Sequence, residues 1–278
     1  MTGDSTQDTD PNAQRTSGQN ERARGGLARA LFMWAVSGAL CAVAPAQVAI
    51  VGQVVHTMGP AGDIENGVVV IQEGKITAVG PAASTPIPEG LRRLEAAVVT
   101  PGLIDAHSTV GLSGLYNTAH DSDQLERSGP VQPELRAVDA YNPLDPLVGY
   151  VRSFGVTTLH TGHAPGELIS GQTIIVKARG GIVDAALVRS PAMVAATLDE
   201  SAHKDGGKSP GSRGKAMAML RQELIKAREY DAKAKAAEGQ DAKDRPPRDL
   251  HLEMLAAVLR RETPLLITAH RAQDIASA

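Results

Sequence analysis

The sequence predicts an α/β protein with a small β-rich domain ahead of it, and three observations predict it. From Val48 to Val99, short β-branched runs are separated by turn residues with no helical pattern between them. From Pro101 onward, strand-like and helix-like stretches alternate, as in a parallel sheet with crossover helices. Three of the later apolar runs end in histidine, so one topological position is used repeatedly for a polar side chain.

Composition narrows the function classes. The chain has 278 residues, 42% of them hydrophobic and 21% charged, enough apolar material for a sizeable core. Its formal net charge of -3 gives no basic field for nucleic acid. Aromatics are only 3%, which leaves few stacking platforms for bases or sugars. The single cysteine, Cys41, falls inside a targeting segment, so cysteine catalysis and disulfides are excluded from the mature protein.

Residues 1–20 are Thr, Ser, Asp, Gln, Gly and Asn almost throughout, a composition expected to be disordered. Residues 21–46 read as a signal peptide: Arg22, Arg24 and Arg29, an apolar run from Ala30 to Val43, then Ala44-Pro45-Ala46 as a small-x-small cleavage site. The run is shorter than the roughly 18 residues of a membrane span, and Leu40 before Cys41 argues against a lipoprotein signal. Export to the periplasm or beyond is therefore expected, with no stable membrane insertion after cleavage. Within the β-rich domain, residues 47–100, the clearest signal is a hairpin: two β-branched runs, Val68-Ile71 and Ile76-Val79, around a Gly74 turn.

After Pro101-Gly102 comes the run Leu103-Ile104-Asp105-Ala106-His107. An amphipathic stretch from Leu144 to Phe154 leads to a second strand, Gly155 to His160, with His163 just beyond. Gln172 to Lys177 is β-branched and reads either as a further strand or as the arm of an inserted hairpin. Gly214 to Tyr230 is a packing helix with Met217, Leu220, Leu224 and Ala227 on one face, followed by a solvated extension and loop from Asp231 to Pro247. Asp249 caps another helix, with Leu252, Leu255 and Leu259 facing inward, and Pro264 precedes the strand Leu265 to Ala269, which ends at His270.

In parallel α/β barrels the C-terminal ends of strands converge on the active site. His107, His160 with His163, and His270 all sit at such ends, which makes a shared metal or catalytic site the reading to test. Imidazoles suit a divalent zinc, iron or nickel ion with an open position for water.

Val99-Thr100-Pro101-Gly102-Leu103-Ile104-Asp105-Ala106-His107 resembles the motif that opens the barrel in amidohydrolases related to imidazolonepropionase and dihydroorotase. The run from Gly74 to Gly80 is similar to part of the small composite domain that precedes it there. The resemblance implies a (β/α)8 TIM-like barrel after a β-sandwich-like composite domain. It also implies hydrolysis of an amide, peptide or cyclic amide by water activated on a divalent metal, zinc foremost, with a small-molecule or peptide substrate. His107 then corresponds to the first-strand ligand and His270 to a later one. The stretch 101–278 falls short of the about 250 residues of a whole barrel, so it is expected to be its N-terminal part, without the later ligands or the water-activating aspartate.

The chain departs from the family at Thr109. Relatives carry His-x-His where this sequence has His107-Ser108-Thr109, and a neutral hydroxyl is a poor ligand for such an ion. Three alternatives stay open: one metal held by fewer ligands, compensation by His160 or His163, or a degenerate site. Lys177 as a carbamylated bridging ligand is weaker than Lys177 as an exposed strand lysine. Asp205-Gly206-Gly207-Lys208-Ser209 is no phosphate loop, because Ala202 stands where its first glycine belongs. Gly111-Leu112-Ser113-Gly114 lacks the last glycine of a nucleophile elbow, Leu115 standing there. His56, His120, His203 and His251 read as ordinary non-site histidines. The rival to an enzyme is a metal-free relative acting as a binding or scaffolding module, or an inactive fragment; a homo-oligomer is compatible with either.

Overall fold

The computed structural model describes residues 47–278 apart from Asn117. The expected tail, signal peptide and cleavage site lie outside the described residues. No helix among the described residues is long and apolar enough to cross a membrane.

The first sheet holds β1 (Val48–His56), β2 (Asp63–Gln72), β3 (Lys75–Pro81) and β4 (Arg92–Val99) in the order β3-β2-β1-β4. The two-residue turn at Glu73 and Gly74 has φ of 53° and 73°, the positive pair that a tight hairpin needs, and it pairs Gln72 with Lys75. Val68, Val69 and Val70 are buried at the sheet's centre. β4 runs parallel to β1 and is exposed along nearly all its length. Its Arg-Arg-Leu-Glu-Ala-Ala opening carries no strand pattern, and its pairing with β1 is what sets it. Among the described residues the four strands of this domain make one four-stranded sheet.

The second part begins with β5 (Leu103–Ser108), followed by short α1 (Ala137–Ala140) and α2 (Pro146–Ser153). Asp145 caps α2, accepting the Leu147 N–H at 2.9 Å, and Pro146 fits the first helical turn. Then follow β6 (Val156–Gly162), β7 (Ile169–Lys177), α3 (Val183–Ala186), β8 (Leu187–Arg189), β9 (Val194–Thr197), α4 (Arg213–Ala236), α5 (Leu250–Leu259), β10 (Leu265–Thr268) and α6 (Ala272–Ser277). The sheet order is β10-β9-β7-β6-β5, with β8 on β7.

β5 with β6 and β9 with β10 are parallel pairs, as the alternating pattern predicts. β7 is antiparallel to both β6 and β9. The link His163–Leu168 is too short for a crossover helix, so the chain must double back. Of the two readings of this stretch, the arm of an inserted hairpin describes it better. α4 and α5 cover the β7–β9–β10 side through Leu220, Leu255, Ile169 and Val194. Leu112, Tyr141, Val148, Leu159 and Ile174 form a second cluster on the β5–β6 side. α4 buries Ala216, Leu220 and Ala227 and runs on to Ala236. Asp249 caps α5 by accepting the Leu252 N–H at 3.0 Å, and Leu255 is fully buried. Leu259 is 42% exposed, against expectation, because the helix ends there and turns away.

Candidate active site

Gly102 shows why the barrel motif opens as it does. A Cβ at this position would lie 2.2 Å from the Thr157 hydroxyl oxygen, so only glycine lets β5 start this close to β6. The strand then delivers His107 to its C-terminal end. His107 is half-buried, its backbone N–H donates to the Asp105 carboxylate at 3.2 Å, and its Nε2 is shielded from solvent without a partner. Burial lowers its pKa, the neighbouring His160 lowers it further, and Asp105 pushes the other way.

His160 lies across from His107, with ring centroids 5.6 Å apart at 57°. Its Nδ1 is 2.7 Å from the Ala106 carbonyl oxygen, which can only accept, so Nδ1 carries the proton. Its Nε2 is 2.7 Å from the Thr173 hydroxyl, which donates to it in the neutral ring. Neither nitrogen is free for a metal ion. His160 therefore does not fill the vacancy at Thr109 as placed; it buttresses β5 instead.

His163 follows β6 and is 4% exposed, with no hydrogen-bond partner at either nitrogen. The Cδ2–Nε2 edge of its ring rests on Gly171, where a Cβ would come within 2.4 Å of Cδ2. Burial pulls its pKa down, against an opposing push from the Gln124 backbone. His270 is exposed beyond β10, its Nε2 3.2 Å from the buried Asp199 carboxylate at the end of β9. β5 and β10 are the two edges of the sheet, four strand spacings apart, or roughly 19 Å along it. No three His, Cys, Asp or Glu side chains gather as a metal ion requires among the described residues. The structure thus brings His107 and His160 together, while His163 and His270 stand in separate surroundings.

Several polar residues near these strand ends carry no sequence signal of their own. Glu167 is fully buried and paired with Lys204, and its Oε2 has no partner. Asp199 caps the short 3-10 turn Glu200–Ala202, accepting the Ser201 N–H at 2.7 Å. His251 on α5 is part-buried, 3.0 Å from Glu134 and 3.4 Å from Glu223. Lys177 donates to the Thr158 hydroxyl at 3.0 Å and is otherwise exposed, as the plainer reading has it.

No protein-family model matches the chain. Over 114 residues it is 31% identical to amidohydrolase tasK of Hapsidospora irregularis, covering 40% of this chain and 12% of that protein. Over 170 residues it is 28% identical to a 5-methylthioadenosine/S-adenosylhomocysteine deaminase of Symbiobacterium thermophilum, covering 58% of this chain and 39% of that one. The solved structure of an amidohydrolase from Thermotoga maritima superposes with a TM-score of 0.73 at 26% identity, over 82% of this chain and 60% of its own. The chain is thus similar in sequence and in fold to members of the amidohydrolase superfamily. Each of these relatives is longer than the stretch it shares with this chain, which spans well under half of the two curated ones. The superfamily's half-barrel is recognisable here in the strands that carry His107, His160 and His270.

Proposed function

We propose that the protein hydrolyses a carbon–nitrogen bond, in an amide, peptide or cyclic amide of modest size, after export through the signal expected at residues 21–46. The observation that carries the reading is His107: a half-buried imidazole with an uncommitted Nε2, delivered to the C-terminal end of the first barrel strand in an amidohydrolase-like chain. Superfamily members are generally metal-dependent. Of the four expected donors, His160 is spent at both nitrogens and His270 is turned to Asp199, so the described residues do not make up a metal centre by themselves. The chemistry assigned to this chain is that of His107. Its burial keeps the ring neutral near pH 7, and a neutral imidazole can take a proton from an attacking water. His160 holds the facing ring at a fixed tilt and tautomer.

The second reading is an amidohydrolase-like binding module without turnover. Turnover separates the two. The protein is assayed for release of ammonia or amine from N-acyl amino acids, dipeptides, hydantoins and aminopurines. Turnover of at least one class, reduced about a hundredfold or more in His107→Ala with the fold intact, is the expected result. No turnover of any class, or full activity in His107→Ala, refutes the reading.

A further inference from the structure

We propose that Thr173 is a positioning residue for His107: through His160 it locks the bulge of β5 that aims the His107 ring. The inference rests on the reading of His107 as the base and adds what holds that base in place.

The bulge lies at the end of β5. From Asp105 to Ser108 the strand takes three steps where β6, from Leu159 to Thr161, takes two. The extra residue falls at Ala106 and His107, and such an insertion re-aims the side chains beside it. Here a side chain does what backbone pairing does elsewhere in the ladder. The His160 Nδ1–H donates to the Ala106 carbonyl at 2.7 Å and ties the residue before His107 to β6.

The far side of the His160 ring depends on Thr173. Thr173 is fully buried on β7, with its hydroxyl 2.7 Å from His160 Nε2. That hydroxyl has one proton and two acceptors in reach. The Met193 carbonyl is the more distant, at 3.3 Å, and already accepts the Thr173 backbone N–H at 2.8 Å, so the proton goes to His160. The Met193 N–H donates to the hydroxyl oxygen at 3.0 Å and fixes its direction. A one-way relay thus runs from Met193 through Thr173 and His160 to Ala106, crossing β7, β6 and β5. Hydrogen bonds in such a series polarise and strengthen one another. Gly162 makes room for it, because a Cβ there would lie 2.6 Å from Thr173 Cγ2 and push Thr173 off its partner.

Valine keeps threonine's branched shape without the hydroxyl. In Thr173→Val the His160 Nε2 and the Met193 N–H lose their shared partner, the ring is no longer held from behind, and the bulge relaxes.

The test reads His107 in two ways. Its reactivity is measured by carbethoxylation with diethyl pyrocarbonate, located by mass spectrometry, and its catalysis by kcat and KM on whichever amide is turned over. The ring is half-buried, so wild type should react slowly, Thr173→Val severalfold faster, and Thr173→Ser, which keeps the hydroxyl, close to wild type. In turnover, Thr173→Val should lower kcat about tenfold with KM unchanged, because a misplaced base weakens the chemistry and not the binding. His160→Gln should show the same two changes. The double variant should lose no more than either single one, since both cut one relay. Thr173→Ala serves in the same comparison if Thr173→Val does not fold. Wild-type reactivity of His107 in the variant without the hydroxyl, a rise in KM alone, no rescue by Thr173→Ser, or losses that multiply in the double variant overturns the inference. Carbethoxylation is read without turnover. Unchanged His107 reactivity in a protein whose turnover needs His107 overturns only this inference, and altered reactivity in one that hydrolyses nothing overturns only the proposed function.

Discussion

At the residue scale, the histidine in β6 and the one just after it have opposite fates. His160 is bound at both nitrogens, through Ala106 and Thr173, and so is fixed in one tautomer. His163, three residues on, is buried with neither nitrogen satisfied. Burial holds its pKa below the usual 6.5, so the folded chain resists protonating it while the unfolded chain does not. The unfolded state then takes up more protons as pH falls, and the stability from the neutral ring, complete above about 6.5, is lost below it. Melting temperature should decline between pH 7 and pH 5, and less steeply in His163→Gln. An identical slope in the variant would show that His163 does not contribute.

At the element scale, the loop after β9 is pinned to the turn before β7 by one ion pair. Lys204 reaches Glu167, whose side chain is fully buried, and also approaches the Gly166 carbonyl at 3.5 Å. The Gly166 N–H in turn donates to the Thr197 hydroxyl at 3.2 Å. Removing the lysine leaves a buried carboxylate without a partner, a loss of about 3–5 kcal/mol, whereas neutralising both ends removes the stranded charge. Lys204→Met should therefore melt well below wild type in denaturant titration, and Lys204→Met with Glu167→Gln should recover most of the loss. If the double variant were no better than the single, the pair would not be what pins the loop.

The same elements show what sequence could and could not reveal. The β2–β3 hairpin and α5 were legible because a Gly turn and an Asp cap are local signals. β9 is Val-Ala-Ala-Thr, too short and too rich in alanine to announce itself, and it becomes a strand by lying between β7 and β10. The strand-ending histidines were visible as a pattern. Their partners were not, because Thr173, Ala106 and Asp199 meet them only through strand order and register, which no local window contains.

At the scale of the whole molecule, a first sheet stands ahead of a half-barrel sheet whose edges carry His107 and His270. The account's central claim is that the strand-end histidines are separately engaged and that the place of the family's second imidazole, at Thr109, is not filled from elsewhere. The Thr109 hydroxyl is occupied with Ser113 at 3.3 Å, and His160 has no lone pair to lend. Zinc titration of Thr109→His beside wild type tests this most directly, because Thr109 is two residues from His107 and directly follows the end of β5. The account predicts that Thr109→His binds zinc about tenfold or more tightly than wild type, while His160→Gln leaves wild-type affinity unchanged. Unchanged affinity in Thr109→His, together with loss of zinc in His160→Gln, would contradict it.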